Sequence, residues 1–179
     1  MYTNNKGLQF YILKREANRQ CVIKFVKSGS VRMANMDNIR AGKVKDLYSP
    51  TRYGVGYDGD IVKTPYWKRA RELWSNMLKR CYCNKKTARN NTYYNKVIVS
   101  ARWKCFANFL KDLPKLEGFR DWEQNKGMEL DKDIKGDGTV YDIYTCCFTT
   151  GTINRRECKN YRIDKIFDPK TRSWTPNHD

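Results

Sequence analysis

Acidic side chains crowd together in only one stretch of this basic chain, between Met128 and Asn160. Asp131 and Asp133 stand two residues apart there, and Asp142 and Asn154 follow. Carboxylate and amide oxygens are hard ligands, so the two aspartates with Asp142 or Asn154 suit one Mg²⁺ ion. The alternative is structural, with the carboxylates paired to nearby cations that fix the module in place. Those cations are Lys135, Arg155 and Arg156.

Strand and turn patterns surround these residues. Met128 to Ile134 is predicted to be extended, residues 136–138 (Gly-Asp-Gly) to turn, and a second extended run to reach Phe148. A helix is predicted over Thr149 to Lys159. Two strands followed by a helix form a ββα unit. In nucleases, such a unit places a metal ligand and a general base after its first strand, so that one divalent ion meets the scissile phosphate.

Six ordered segments of the chain together resemble a known family. They are YGVGYDG, WxxMLxRCY, VIVSARWxxFxNF, LDKDI, TCCF and IN. This set is similar to small bacteriophage proteins related to HNH homing endonucleases, which are ββα-metal nucleases, and the match covers most of the chain. The resemblance implies that Asp131 is a metal ligand and that Asn154 is the last ligand or a positioning residue on the helix. Lys132 falls where the family keeps its histidine base, so the HNH motif is degenerate, with LDKDI in place of the histidine-containing strand.

The resemblance therefore makes Asp131, Lys132 and Asn154 the candidate catalytic residues, and Asp131, Asp133 and Asn154 the candidate Mg²⁺ ligands. A lysine serves as a base only when its pKa is depressed by several units, and neighbouring carboxylates pull its pKa the other way. The one histidine, His178, stands next to the last residue of the sequence. Catalysis by Lys132 is disfavoured, and cleavage is expected to be slow or absent.

Charge predicts the partner. The chain has 36 basic and 19 acidic residues among 179, a net charge of +17. Residues 61–120 hold 15 basic and 3 acidic groups, whereas residues 121–179 hold 10 and 11. A charge of this size and asymmetry favours a polyanion, and nucleic acid is the expected one. The middle third is the predicted electrostatic footprint.

The N-terminal residues 1–48 are predicted to form a small SH3-like β module. Leu8 to Arg15, Gln20 to Lys27 and Val31 to Met36 have strand patterns and form a three-stranded meander. Asp37 and Asn38 are expected to cap one helical turn, and residues 42–45 form another extended piece. Two roles stay open for the module, a nucleic-acid clamp and a packing domain.

Residues 49–64 are rich in glycine and form the predicted linker, with Tyr53 and Tyr57 pinning it onto the next helix. Residues 65–160 form the HNH-like module, and residues 161–179 a C-terminal extension. Pro65 is expected to open a helix whose apolar stripe repeats at three- and four-residue spacing. The predicted phosphate contacts lie on its basic face, in the loop after it and beyond the acidic stretch. They are Lys68, Arg69, Lys79, Arg80, Lys85, Lys86, Arg89, Arg155 and Arg156.

Val97 to Val99 is predicted to be a short strand, and Ser100 to cap a helix over Ala101 to Leu113 that Pro114 ends. The fold class is α+β, with the β module followed by an α/β module that ends in the ββα unit. An odd number of cysteines, seven, predicts free thiols. No apolar run is long enough for a membrane span and no signal peptide is recognised, so the expected location is the cytoplasm of a phage-infected bacterial host.

Two functions fit the sequence. The first is binding of duplex DNA, either as a homing-type nicking endonuclease that uses a divalent metal or as a descendant that kept binding and lost cleavage. The second is a catalytically inactive phage inhibitor or regulator that binds a host protein or a nucleoprotein complex. Affinity for random duplex DNA separates the two.

Overall fold

The computed structural model describes residues 1–83, 94, 96–124 and 127–154, and the backbone of two strands at 165–168 and 173–176. These residues form an α+β fold. The strands are β1 (Tyr2–Thr3), β2 (Gln9–Arg15), β3 (Gln20–Phe25), β4 (Val31–Asn35), β5 (Ile98–Val99), β6 (Met128–Asp131), β7 (Val140–Tyr141), β8 (Cys147–Thr150), β9 (Lys165–Asp168) and β10 (Ser173–Pro176). The helices are α1 (Met36–Arg40), α2 (Trp67–Tyr82), α3 (Phe106–Asp112) and α4 (Phe119–Gln124), with a 3₁₀ turn at Leu113–Lys115.

The N-terminal strands form one antiparallel sheet in the order β1-β2-β3-β4. The predicted meander is confirmed as β2, β3 and β4, with β1 added at one edge. Alternate residues point to one side, where Phe10, Ile23 and Phe25 are buried. Gly29 lies in the turn between β3 and β4 with φ of 70°. A residue with a side chain would be strained in this left-handed backbone conformation. This local alternation is why the strand prediction succeeds here.

Helix α1 follows β4 directly and corrects the predicted cap. The Asn35 side chain accepts a hydrogen bond from the Asp37 backbone amide at 2.8 Å, so Asn35 is the N-cap and Asp37 lies in the first turn. Residues 42–45, predicted to be extended, form no strand in the structure. Val44 instead packs into the N-terminal core, and its carbonyl accepts a hydrogen bond from the Asn4 side chain.

The glycine-rich linker packs against the helical part of the chain, as the sequence predicts. Tyr57 forms a parallel bridge with Cys105, and the Ala107 amide donates to the Asp58 carbonyl. A Cβ atom on Gly56 would lie 2.9 Å from the Trp74 ring, so the backbone approaches α2 closely and glycine is required. The segment is therefore pinned at several points along its length.

Helix α2 carries the predicted apolar stripe. Ala70, Trp74, Met77, Leu78 and Cys81 are all buried, because their spacing places them on one face. The predicted start is wrong by two residues. The helix begins at Trp67, after a cap at Tyr66 that makes no side-chain hydrogen bond, so Pro65 stands just before the helix rather than in its first position.

Strand β5 and helix α3 follow α2 in the chain. The predicted buried face of the second helix is confirmed at Trp103, Phe106, Phe109 and Leu110. The predicted start at Ala101 is wrong, since α3 begins at Phe106. The residues between form tight turns in which the Trp103 and Lys104 amides donate to the Ser100 carbonyl. Pro114 lies in the 3₁₀ turn that follows α3.

The acidic stretch differs from its prediction in strand pairing. β6 ends at Asp131, three residues before the predicted end, and pairs antiparallel with β8. The second extended run is not continuous, because β7 pairs in parallel with β5 and residues 142–146 turn before β8 begins. The helix begins later than predicted, since Thr149 and Thr150 belong to β8 and residues 151–154 are helical. The predicted helical residues 155–159 lie outside the described residues.

Two separate clusters of apolar side chains form the interior. One joins the N-terminal sheet to α1, and the other joins α2, α3 and α4 to β5, β6, β7 and β8. The six cysteines in the described ranges are free and buried, which fits the thiol prediction. Among the described helices, none has the length and apolar character of a membrane span. β9 and β10 form an antiparallel pair.

Candidate functional site

The exposed face of α2 carries basic residues at both ends. Lys68 lies near its start, and Lys79 and Arg80 lie in its last turn, all of them exposed. At 1.5 Å of rise per residue, Lys68 and Lys79 stand about 16 Å apart along the helix. The opposite face is fixed in the larger core, so the lysines project from a rigid element. This geometry suits a row of phosphates.

Arg69, another predicted phosphate contact, has a packing role in the structure. Its guanidinium lies 4.3 Å from the centroid of the Trp122 ring and donates a hydrogen bond to the Trp122 carbonyl. A second hydrogen bond reaches the Glu123 carbonyl at 3.4 Å. Arg69 thus ties α2 to α4, and its phosphate contact stays a prediction.

Arg71 and Arg52 join the basic face without having been predicted. The Arg71 guanidinium lies 3.7 Å from the centroid of the Phe106 ring and donates to Asp58 at 2.6 Å. Arg52 comes from the linker and borders an open groove of about 730 Å³ along α2. The other lining residues of the groove are Lys68, Arg69, Arg71, Glu72 and Ser75. Arg71 could be found from its place on the helix, whereas Arg52 stands in a glycine-rich loop with no periodic signal.

Five predicted phosphate contacts lie outside the described residues. They are Lys85, Lys86, Arg89, Arg155 and Arg156. The first three lie in the sequence between α2 and β5, and the last two follow the helical residues 151–154. Their part in binding stays a prediction.

Asp131 stands at the end of β6 with its side chain buried. Its Oδ1 atom accepts hydrogen bonds from the backbone amides of Asp133 and Ile134, both at 2.8 Å. Burial raises the pKa of Asp131, and these two amide hydrogen bonds only partly oppose that effect. The contacts shape the turn after β6, which is a structural use of the carboxylate.

Lys132 is buried beside Asp131, with 3% of its side chain exposed. Its Nζ atom donates to Asp133 Oδ1 at 2.7 Å and lies 5.7 Å from the centroid of the Tyr141 ring. A buried ammonium requires a close carboxylate, and Asp133 supplies one. This ion pair occupies the place at which the resemblance implies a histidine base.

Arg80 connects the basic face of α2 to this cluster. Burial raises the pKa of Tyr141, and the positive charge of the nearby Arg80 partly opposes that rise. Tyr141 belongs to β7, and the Lys132 ammonium lies near the same ring. The structure therefore brings Arg80 and Lys132 near one tyrosine, with Asp133 paired to Lys132, a convergence that sequence spacing did not reveal.

Asn154 makes its described contact elsewhere. Its Nδ2 atom donates to Glu129 Oε2 at 2.9 Å, across from β6. Asp142 caps a tight turn by accepting the Tyr144 amide at 3.1 Å. The described contacts of both side chains are therefore local ones.

The predicted Mg²⁺ ligands have other partners in the structure. Within the described ranges, no three His, Cys, Asp or Glu side chains converge as ligands for a metal ion. One Asp131 oxygen already accepts two amides, and Asp133 faces an ammonium at 2.7 Å. A cation beside Asp133 repels a second cation, and the Mg²⁺ site stays a prediction.

The chain was compared with protein-family models, with curated proteins and with solved structures, and no match was found in any of the three.

Proposed function

We propose that this chain binds duplex DNA through the exposed face of α2 and that it is a phage-type relative of HNH homing endonucleases. The proposal divides the chain into a small SH3-like module at 1–48, a linker at 49–64 and an HNH-like module at 65–160. The antiparallel pair of β6 and β8, followed by helical residues 151–154, supports the HNH-like unit. The four-stranded sheet with α1 supports the β module.

One observation carries the proposal. The basic face of α2 ends beside the acidic stretch, because Arg80 is near enough for its charge to act on Tyr141 and Lys132 lies against the same ring. DNA held along α2 would therefore meet the β6 end of the ββα-like stretch. This is the relation between binding surface and site that an HNH-derived protein requires.

The same geometry favours binding without efficient cleavage. Lys132 is buried and its ammonium is held by the Asp133 carboxylate at 2.7 Å, so its side chain is engaged in the fold. Loss of a general base lowers a rate by about a hundred- to ten-thousandfold. We infer a binding protein in which the site of the former base now stabilises the fold.

Binding to labelled duplex DNA at several salt concentrations tests the proposal. About six phosphate contacts predict an affinity loss of roughly a thousandfold between 50 and 200 mM salt. The variant Lys68→Glu with Lys79→Glu should weaken binding to all sequences alike and lower the salt slope by about two. The matched control is Lys111→Glu with Arg120→Glu, which makes the same charge change on α3 and α4. An equal loss of DNA affinity in both variants would contradict the assignment of binding to the exposed face of α2. A DNA affinity that does not depend on salt would contradict it as well.

Cleavage is tested on supercoiled plasmid with Mg²⁺ or Mn²⁺. We expect little or no nicking by the wild type. Strong nicking that is lost in Asp131→Ala or Asn154→Ala would instead restore the metal-dependent endonuclease. Nicking lost only in Lys132→Ala would identify Lys132 as the base despite its ion pair.

A further inference from the structure

The outer face of the N-terminal sheet carries large apolar side chains in solvent. Tyr11, Leu13, Val26, Val31 and Met33 are each 48–55% exposed. Strand alternation places this outer face opposite the buried face of the same sheet. The core of the module is closed on that buried face by α1 and the segment after it, so the outer face serves no packing role within the module.

Strand register shows that these side chains are neighbours. Tyr11 pairs with Lys24, which pairs in turn with Val31. Directly opposed residues have Cβ atoms about 5 Å apart, so each row is continuous across three strands. The next row, two or three residues along, contains Lys14, Val22 and Met33.

A continuous apolar face of this kind marks an interaction surface, whereas single exposed apolar residues are ordinary. Its charge indicates the partner. Lys24 stands in the middle of one row and Lys14 at the end of the other, and residues 1–47 hold 10 basic and 3 acidic groups. Glu16, the acidic residue at the end of β2, is 2.7 Å from the Lys14 ammonium.

The position of Lys24 argues against a second copy of the chain. A two-fold interface centred on this face would bring equivalent lysines together, and like charges in close opposition are destabilising. Nucleic-acid bases present flat apolar faces, and their phosphates are anionic. An aromatic ring beside lysines on a sheet surface suits stacking of an unpaired base with phosphates held at its edges.

We propose that the outer face of the N-terminal sheet binds single-stranded nucleic acid, with a base stacked on Tyr11 and neighbouring phosphates at Lys14 and Lys24. The surface is separate from α2, so the chain holds one surface for duplex and one for an unpaired strand. Such a division suits a protein that acts where a duplex is locally opened.

The test is fluorescence anisotropy of the full chain with a labelled oligothymidine of about a dozen nucleotides, within the usual range for such surfaces. Tyr11→Ala should weaken binding about tenfold, because stacking on one aromatic ring contributes that much or more per base. Tyr11→Phe keeps the ring and should bind like the wild type. Lys24→Gln should lower the salt slope by about 0.7, the value for one contact with a single strand.

Tyr144→Ala is the matched control, since Tyr144 is the most exposed of the described tyrosines, at 85%, and lies in the turn after β7. It should leave oligothymidine affinity unchanged. Circular dichroism of each variant checks the fold, and Tyr11→Phe and Lys24→Gln keep the test decisive if Tyr11→Ala unfolds.

Duplex affinity measured on the same variants separates this inference from the function proposed for α2. We expect Tyr11→Ala to leave duplex binding intact and Lys68→Glu with Lys79→Glu to weaken it. The inference is overturned if the wild type does not bind oligothymidine, or if folded Tyr11→Ala and Lys24→Gln bind it as the wild type does. It is also overturned if Tyr11→Ala weakens duplex and single strand equally. A protein partner would then be the occupant to seek.

Discussion

Asp112, at the end of α3, and Asp131, at the end of β6, are both removed from solvent, yet their surroundings act on their charge in opposite directions. Asp112 accepts hydrogen bonds from Arg102 at 2.6 and 2.9 Å, from the Trp103 indole at 3.1 Å and from Lys115 at 3.2 Å. Burial alone would raise its pKa, but these contacts outweigh burial and lower the pKa. The charged form of Asp112 is therefore the stable one.

The described hydrogen bonds to the Asp131 carboxylate come from backbone amides, whereas those to Asp112 come mainly from the cations Arg102 and Lys115. The nearby Lys132 ammonium pairs with Asp133. Burial raises the pKa of Asp131, and the Asp133 charge adds to that rise. The comparison teaches that burial of a carboxylate does not by itself define a site. Asp112 anchors the fold through its charge, whereas Asp131 shapes a turn through its oxygen and carries its charge at a cost.

Removal of the Asp112 side chain should have the largest effect. Asp112→Ala is expected to lower the free energy of unfolding by about 3 kcal/mol, because it removes a buried acceptor of several charged hydrogen bonds and leaves the buried Trp103 indole N–H without its partner. Urea denaturation measures the change. Lys115→Ala is the control, and it should cost less than about 1 kcal/mol since its side chain is 55% exposed. Similar losses in the two variants would show that Asp112 is not an anchor.

The Lys132 and Asp133 pair should be asymmetric. Asp133→Ala removes the carboxylate 2.7 Å from a buried ammonium and is expected to cost about 3 kcal/mol. Lys132→Met removes the buried charge and keeps an unbranched side chain, so its effect should stay within about 1 kcal/mol. Urea denaturation of both variants decides the matter. If Lys132→Met lowers the free energy of unfolding more than Asp133→Ala does, the ammonium stabilises the fold through contacts other than this ion pair.

The acceptor oxygen of Asp131 should contribute more to the free energy of unfolding than its negative charge does. Asp131→Ala loses two backbone hydrogen bonds and is expected to cost about 2 kcal/mol. Asp131→Asn keeps an acceptor oxygen and removes the buried charge, so we expect stability within about 0.5 kcal/mol of the wild type or above it. Thermal or urea unfolding at neutral pH distinguishes them. If Asp131→Asn is as unstable as Asp131→Ala, the charge itself is required.

The two aspartates should also give pH dependences of opposite sign. Asp112 has a lowered folded pKa, so its contribution is present above the unfolded value of about 3.9 and is lost as pH falls through the folded pKa. Asp131 has a raised folded pKa, so its contribution is greatest below that unfolded value and is lost as pH rises through the folded pKa.

Each unit of pKa difference corresponds to about 1.4 kcal/mol. Subtracting the unfolding curves of Asp112→Asn and of Asp131→Asn from that of the wild type, between about pH 3 and pH 7, isolates each contribution. If both differences in the free energy of unfolding change in the same direction with pH, the two aspartates do not have opposite effects on stability.

Local pattern predicted the parts of the fold that depend on neighbours in sequence. The alternation in β2 and β3 places Phe10 and Ile23 on one side of a sheet, and the spacing from Ala70 to Cys81 makes one buried stripe on α2. These predictions succeed because the period of a strand or a helix is a property of its own backbone. In the acidic stretch the predicted first strand and the later helical residues are present, but the predicted second strand is broken into β7 and β8, which pair with different partners.

Tertiary structure alone decided which groups meet. Two-residue strands such as β7 carry too little pattern to select a partner, and β7 pairs with β5 rather than with β6. From the sequence alone, Arg69 is expected to be an exposed cation on α2. In the structure it instead packs on the Trp122 ring and donates to the Trp122 carbonyl. Asp131 and Lys132 indicate metal chemistry by type and spacing, yet their observed partners are backbone amides and Asp133. Sequence spacing determines the face of a helix or strand on which a residue lies. The chemical role of that residue depends on which distant segments pack against that face.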